Sequence, residues 1–316
     1  MKKDSNYDRF PDNVFKPNKV GNKTIYLVRF NNLYDLYDYL HGNPDLNREI
    51  FRELSSINGS YDFAGKPYEE AIEDLIKENY NPGYKEFLRL QNSLENCINV
   101  PVHKYKTVMT LAGGHLNTPA YSAGNPFCYE TEERIIKPKF VRINVLLDYY
   151  WATTKSQVFN RAIIITNILK ALENAGYAID LNTFSLTHID NEYIHIVIKI
   201  KNYDEKLNMS SLYKCLCDVE FFRRIIFRVM ETVDVRDYEW GGSYGRRCYE
   251  SDIKRVLKFD NNDIFFDQPE GMDINGNSLA RDFEKAINHL NLADKIDVER
   301  AKRNFSEEVK RLIKKK

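Results

Sequence analysis

Between residues 140 and 201 the hydrophobic period of the chain switches from two to helical spacing and back, and no other stretch constrains the fold as much. Val141, Ile143 and Val145 alternate with other residues and then run into Leu146 and Leu147, as in a strand that becomes more buried along its length. Residues 159–176 place Ala162, Ile165, Leu169 and Leu172 along one helical band, and Gly176 suits the carboxyl-terminal cap. Tyr177, Ile179 and Leu181 return to period two. After a polar turn at 188–191, Ile194, Ile196, Ile198 and Ile200 alternate again. Two strands joined by a short polar turn predict an antiparallel hairpin. The strand–helix–strand unit before it predicts a parallel pair in the same sheet.

The rest of the chain fills in around this unit. Residues 210–233 read as one long helix, with Leu212, Cys215, Val219, Phe222, Ile226 and Val229 packing on the sheet. Its Arg223–Arg224 pair reads as a solvated or salt-bridged face rather than a phosphate site. Strands are expected at 255–259 and 263–266, and helices at 279–290 and 294–313. Towards the amino end, an irregular polar lead-in (1–23) precedes a strand at 24–30. Helices follow at 33–40, 44–57, 67–79 and 84–95, with Asn58–Gly59 marking a turn. Residues 111–130 are the most loop-like, with Gly113, Gly114, Pro119, Gly124 and Pro126. They suit a lid, a linker or an extended arm lying on a partner, and a strand at 105–109 leads into them.

The expected fold class is therefore α/β or α+β, a mixed sheet flanked by helices with a largely helical amino-terminal region. Three parts are expected: a helical region with a short strand (1–110), a Gly/Pro-rich connector (111–137), and an α/β domain with carboxyl-terminal helices (138–316).

Charge and cysteine usage narrow the function. With 46 basic and 46 acidic side chains the formal net charge is zero. That gives no support to nucleic-acid binding driven by a concentrated positive surface. Residues 292–316 carry a local basic excess, which suits either a membrane or nucleic-acid contact or a solvated helix end with Lys near its negative pole. Cys97, Cys128, Cys215, Cys217 and Cys248 are irregularly spaced and read as reduced and mostly buried. Cys215 and Cys217 are two apart in a helix, facing different ways, which disfavours a shared zinc site. The opening residues lack the apolar core of a secretory leader, and no apolar run reaches the roughly 18 residues of a membrane span. A cytoplasmic protein is expected, in a host cell or released within a virus particle.

No cofactor, metal or catalytic residue is assigned. The junction after the first strong strand reads Asp148-Tyr149-Tyr150-Trp151-Ala152-Thr153-Thr154, without the glycines that let backbone approach phosphate. His41, His103, His115, His188, His195 and His289 form no metal-binding pair, and His195, opposite the isoleucine face of its strand, reads as exposed. His115 is the one histidine in a Gly-rich loop. The scattered set Asp260, Asp263, Asp267 and Glu270 offers hard oxygen ligands at a strand rim, or a merely solvated rim. The recognition surface singled out is the turn carrying Trp240, Tyr244, Arg246 and Arg247, where glycines permit close approach, rings give flat contact area and arginines grip anions.

Two resemblances follow. The element order from residue 140 onward resembles that of von Willebrand factor A-type domains, and Asp148 falls at the start of that family's D-x-S-x-S metal motif. Its hydroxyl positions here hold Tyr150 and Ala152, so the resemblance implies the topology and not an intact metal site; Asp148 or Thr153 then reads as a helix cap. The Asn/Lys/Ile/Tyr-rich wording, with FAGKPYEEAIEDL at 63–75 and GSYG at 242–245, resembles uncharacterised proteins of bacteriophages and low-GC bacteria. The expected function is non-enzymatic binding or scaffolding in a viral accessory or assembly role, with protein partners and self-association. The alternative is a divalent-metal-dependent nuclease or phosphoryl-transfer enzyme.

Overall fold

The hairpin at the centre of this expectation organises the whole sheet. The structure is a computed structural model. It describes residues 14–20, 23–42, 44, 46, 54–77, 82–94, 105–134, 139–150, 152–174, 176–189, 192–233, 253, 257, 263–266, 303 and 307. Strands β7 (Tyr177–Ile189) and β8 (Glu192–Lys201) pair antiparallel, and β6 (Lys139–Leu146) runs parallel to β7. On the far side of β6 lies β9 (Ile264–Phe266), also parallel to it. Beyond β8 come β2 (Lys23–Phe30), parallel to β8, and β1 (Val14–Val20), antiparallel to β2. The six-stranded mixed sheet thus has the order β1-β2-β8-β7-β6-β9. A second sheet is built from β3 (Tyr105–Thr110), β4 (His115–Leu116) and β5 (Tyr129–Arg134), in the order β3-β5-β4.

The helices among the described residues are α1 (Leu33–His41), α2 (Ser55–Asn58), α3 (Tyr61–Ala64), α4 (Tyr68–Glu73), α5 (Pro82–Leu94), α6 (Thr118–Ser122), α7 (Lys155–Asn174), α8 (Met209–Cys217) and α9 (Phe227–Met230). A π-helical segment, Phe221–Ile226, joins directly to α9. The alternation in β6 and β8 sends Val141, Ile143, Val145, Ile194, Ile196 and Ile198 into the main core, which they share with apolar side chains of α7, α8 and the π segment. Helix α7 begins with a reciprocal cap. Thr154 Oγ1 accepts from the Gln157 N–H, and Gln157 Oε1 accepts from the Thr154 N–H at 2.8 Å. Neither Asp148 nor Thr153 supplies that cap. Gly176 follows the helix at φ 84°, the left-handed region that glycine enters without strain.

Several expectations are corrected. His195 is half-buried, because the second face of the sheet is covered as well. There Leu146, Phe184, Leu186, Tyr193 and Val197 form a smaller core with Ile253 and Leu257, and the His195 ring lies edge-on to Phe184 at 5.8 Å. Burial, with Arg29 second, holds its imidazole well below the ordinary pKa. The long helix expected at 210–233 is interrupted at Asp218, whose backbone is extended (ψ 120°), and resumes as the π segment. Periodicity continues through the break because both pieces bury apolar side chains in the same core. In place of a helix across 44–57, Pro44, Leu46 and Leu54 are non-helical and only α2 follows; α4 likewise ends at Glu73. In the strand expected at 255–259, the Leu257 N–H donates to the Ile253 carbonyl, a helical contact instead of a ladder bond. The helices expected at 279–290 and 294–313 lie almost wholly outside the described residues.

Candidate functional site

The strands β6, β7 and β9 run the same way, so their carboxyl ends share one edge of the sheet, the edge where open α/β sheets place ligands. Asp148 leaves β6 at this edge and is fully buried. Both of its oxygens are committed within the chain: Oδ1 accepts from the Ser185 hydroxyl, and Oδ2 from the Leu186 N–H at 2.8 Å. Burial raises its carboxyl pKa to about 7, against the lowering pull of those hydrogen bonds and of Arg161. Asp148 therefore latches the end of β6 to β7. A cavity of about 10 Å³, room for one water, lies nearby between Arg161, Asp218, Tyr149 and Cys215. Burial raises the Asp218 carboxyl to about 7 as well, with Glu220 the next cause.

The loops above this edge are held by two consecutive arginines. The π segment presents Arg223 and Arg224 side by side, and both are buried, which corrects the expectation of a solvated face. Arg224 donates to the carbonyls of Ser56 and Ile57 at 2.8 and 2.9 Å, and to those of Gly59 and Lys66 at 2.8 and 2.9 Å. Arg223 donates to the carbonyls of Phe63, Tyr150 and Thr153, and its guanidinium lies 4.2 Å from the Phe63 ring centre and 4.9 Å from that of Tyr149. A planar guanidinium with five donors suits this task better than an ammonium would. The segment at 56–66 is thereby tied to Tyr150 and Thr153. On the outside, the two display Ile57, Tyr61 (64% exposed) and Tyr150 (54%), with the Lys155 ammonium 5.1 Å from the Tyr61 ring centre. This ridge carries exposed aromatic groups on a pinned backbone.

The small sheet makes a different kind of surface. Its turn between β3 and β4 uses Gly113 and Gly114 at φ 96° and 66°, and a Cβ on Gly114 would press on the Glu130 backbone carbonyl. Asn117 then closes the following loop. Its N–H donates to the Cys128 carbonyl at 2.7 Å, its Oδ1 caps α6 through the Ala120 N–H at 2.9 Å, and its Nδ2 donates to Glu130. The stretch expected to be loop-like is thus an ordered arm. Leu111 (63% exposed), Tyr121 (63%), Phe127 (49%), Leu116 (44%) and Met109 all stand in solvent. Residues 107–129 contain no Asp, Glu, Lys or Arg, in a chain that is 29% charged. That gap is readable in the sequence, and the glycines and prolines that suggest a connector had masked it.

Of the residues singled out from sequence, Trp240, Tyr244, Arg246 and Arg247 lie outside the described residues, as do Asp260, Asp267, Glu270, Cys97, Cys248, His103 and His289. Asp263 pairs with Arg142 (3.9 Å), which also pairs with Asp180 (3.1 Å), which in turn meets Lys199 (3.1 Å), a charge ladder across four strands. His115 sits exposed on β4. Cys128, Cys215 and Cys217 are buried and unbridged, and burial pushes the Cys215 and Cys217 thiols up. Among the described residues no three His, Cys, Asp or Glu side chains gather to hold a metal ion, and no helix is long and apolar enough to cross a membrane.

Fold and surfaces together define a mixed-sheet α/β protein with an aromatic ridge at one sheet edge and an uncharged β arm. The chain belongs to the family described as a domain of unknown function (DUF7192), whose model matches residues 13–292. No curated protein and no solved structure matches it.

Proposed function

We propose that this protein is a non-enzymatic binding or scaffolding protein, with a role in viral assembly that accords with its resemblance to bacteriophage sequences. The observation that carries this reading is the arm, an ordered, exposed, charge-free stretch (107–129) that presents Leu111, Leu116, Tyr121 and Phe127. Interface cores are depleted in charge and enriched in aromatic residues and Met. A protein with no partner there would gain solubility from a few charges on so exposed a loop. The ridge at Ile57, Tyr61 and Tyr150 supplies a second contact surface, as a scaffold requires.

The test is a photo-crosslinking amino acid in place of Tyr121, with Asp38, exposed on α1, as the control position. A discrete protein adduct from Tyr121 and none from Asp38 is expected in extracts of the native host. If neither position gives an adduct, the reading fails.

A further inference from the structure

Asn58–Gly59, next to Ile57 on the ridge, is the dipeptide most prone to spontaneous deamidation, because glycine puts no side chain in the way of its own nitrogen. We propose that this pair is a deamidation site, held closed in the folded chain by Arg224 and Glu231. In the reaction the Gly59 nitrogen gives its proton to hydroxide and bonds to Asn58 Cγ. The Cγ–Nδ2 bond breaks, and Nδ2 takes a proton from water and leaves as ammonia. Water then adds across one C–N bond of the cyclic imide, leaving aspartate or isoaspartate at position 58.

The pair is exposed to this chemistry and cannot easily be changed. Asn58 is exposed, so its amide meets water. A Cβ added at Gly59 would lie 3.0 Å from both the Ala64 Cβ and the Ser55 carbonyl oxygen, so packing favours glycine there. Ring closure needs the Gly59 N–H released and Asn58 turned out of its helical backbone. In the fold that N–H donates to the Ser55 carbonyl at 3.2 Å and closes the single turn of α2. A four-residue helix does not hold by itself in water. Here Arg224 donates to the carbonyls of Ser56, Ile57 and Gly59, on both sides of Asn58. Glu231, fully buried, accepts from the N–H and the hydroxyl of Ser56. Turning Asn58 breaks these bonds, so the reaction waits on local opening. Isoaspartate adds a carbon to the main chain between two of the carbonyls that Arg224 holds, so its formation loosens the ridge irreversibly.

The experiment incubates the full chain at mildly alkaline pH, folded and in urea, and follows the mass gain of each Asn-Gly peptide as amide becomes acid. In urea, Asn58 is expected to react as fast as Asn275, which stands in the same Ile-Asn-Gly tripeptide and supplies the reference rate. In the folded chain Asn58 is expected to react about tenfold or more slowly than in urea. Equal rates in the two states overturn the proposal. Arg224→Lys keeps the charge but loses the planar fork, and is expected to raise the folded-state rate at Asn58 several-fold, with circular dichroism showing it folded. An unchanged rate overturns the clamp. If that variant does not fold, Glu231→Gln takes its place with the same two outcomes. Asp148→Ala, which weakens a different latch, is expected to leave the Asn58 rate where it was. A rise equal to that of the clamp variant would place the control in global unfolding and overturn the proposal.

Discussion

The ridge and the arm both hold aromatic side chains in solvent, but the forces that fix them are opposite in kind. Under the ridge, two buried guanidiniums hold seven backbone carbonyls, and the buried Asp148 carboxyl group latches the strand end nearby. The arm has no Asp, Glu, Lys or Arg between residues 107 and 129 and is held by pairing with β5, by glycine turns and by the side chains of Thr110, Asn117 and Asn125. Buried charge that is fully hydrogen-bonded gives a surface whose shape depends on the core. A neutral hairpin gives one whose shape is local, so its side chains can change without cost to the rest.

The sharpest way to break this contrast is Arg224→Met. It leaves four carbonyls of the 56–66 loop without their donor, and should lower stability by about 3 kcal/mol or more in urea unfolding. The arm pair Leu116→Asp with Phe127→Asp should stay within about 0.5 kcal/mol in the same measurement. Equal costs would mean that the two surfaces are not supported differently.

Asp148→Ala comes next, at about 2 kcal/mol, since the Leu186 N–H and the Ser185 hydroxyl lose their acceptor in a buried place. Its pH dependence sharpens the comparison further. The folded pKa of about 7 lies above the ordinary 3.8, so the stability linked to this proton is complete below pH 3.8. That stability is lost as pH rises through 7. Asp148→Asn removes the linkage, so its stability relative to the unchanged chain should improve from about pH 5 to about pH 8. A constant difference across that range would contradict the buried, proton-holding carboxyl. A small stability effect is also expected for Tyr61→Ala and Tyr150→Ala, each within about 1 kcal/mol by thermal unfolding, because the backbone under them is held by Arg223 and Arg224 and not by the rings.

The sequence pattern was informative where one side chain in two or one in three or four had to be apolar. The hairpin of β7 and β8, the parallel pair of β6 and β7, and helix α7 all lie close to where periodicity places them. Periodicity could not see the break at Asp218, since α8 and the π segment bury side chains in the same core and keep the pattern going across it. Nor could it show that the far face of β8 is covered, because that cover comes from Ile253 and Leu257, distant in sequence. The arginine pair misled for a related reason. An Arg-Arg dipeptide looks solvated until seven carbonyls, one of them about 170 residues away, are brought to it.

What the sequence determined by itself is therefore the local part: the alternation of β6, β7 and β8, the helix between them, and a charge-free run at 107–129. These follow from side-chain spacing and composition, which act over a few residues. Tertiary structure decided the place of β2 beside β8, the latch of Asp148 on Ser185 and Leu186, and the ridge tied by Arg223 and Arg224. Each of those joins groups far apart in the chain, mostly through hydrogen bonds to backbone N–H and carbonyl groups, which leave no mark in a sequence.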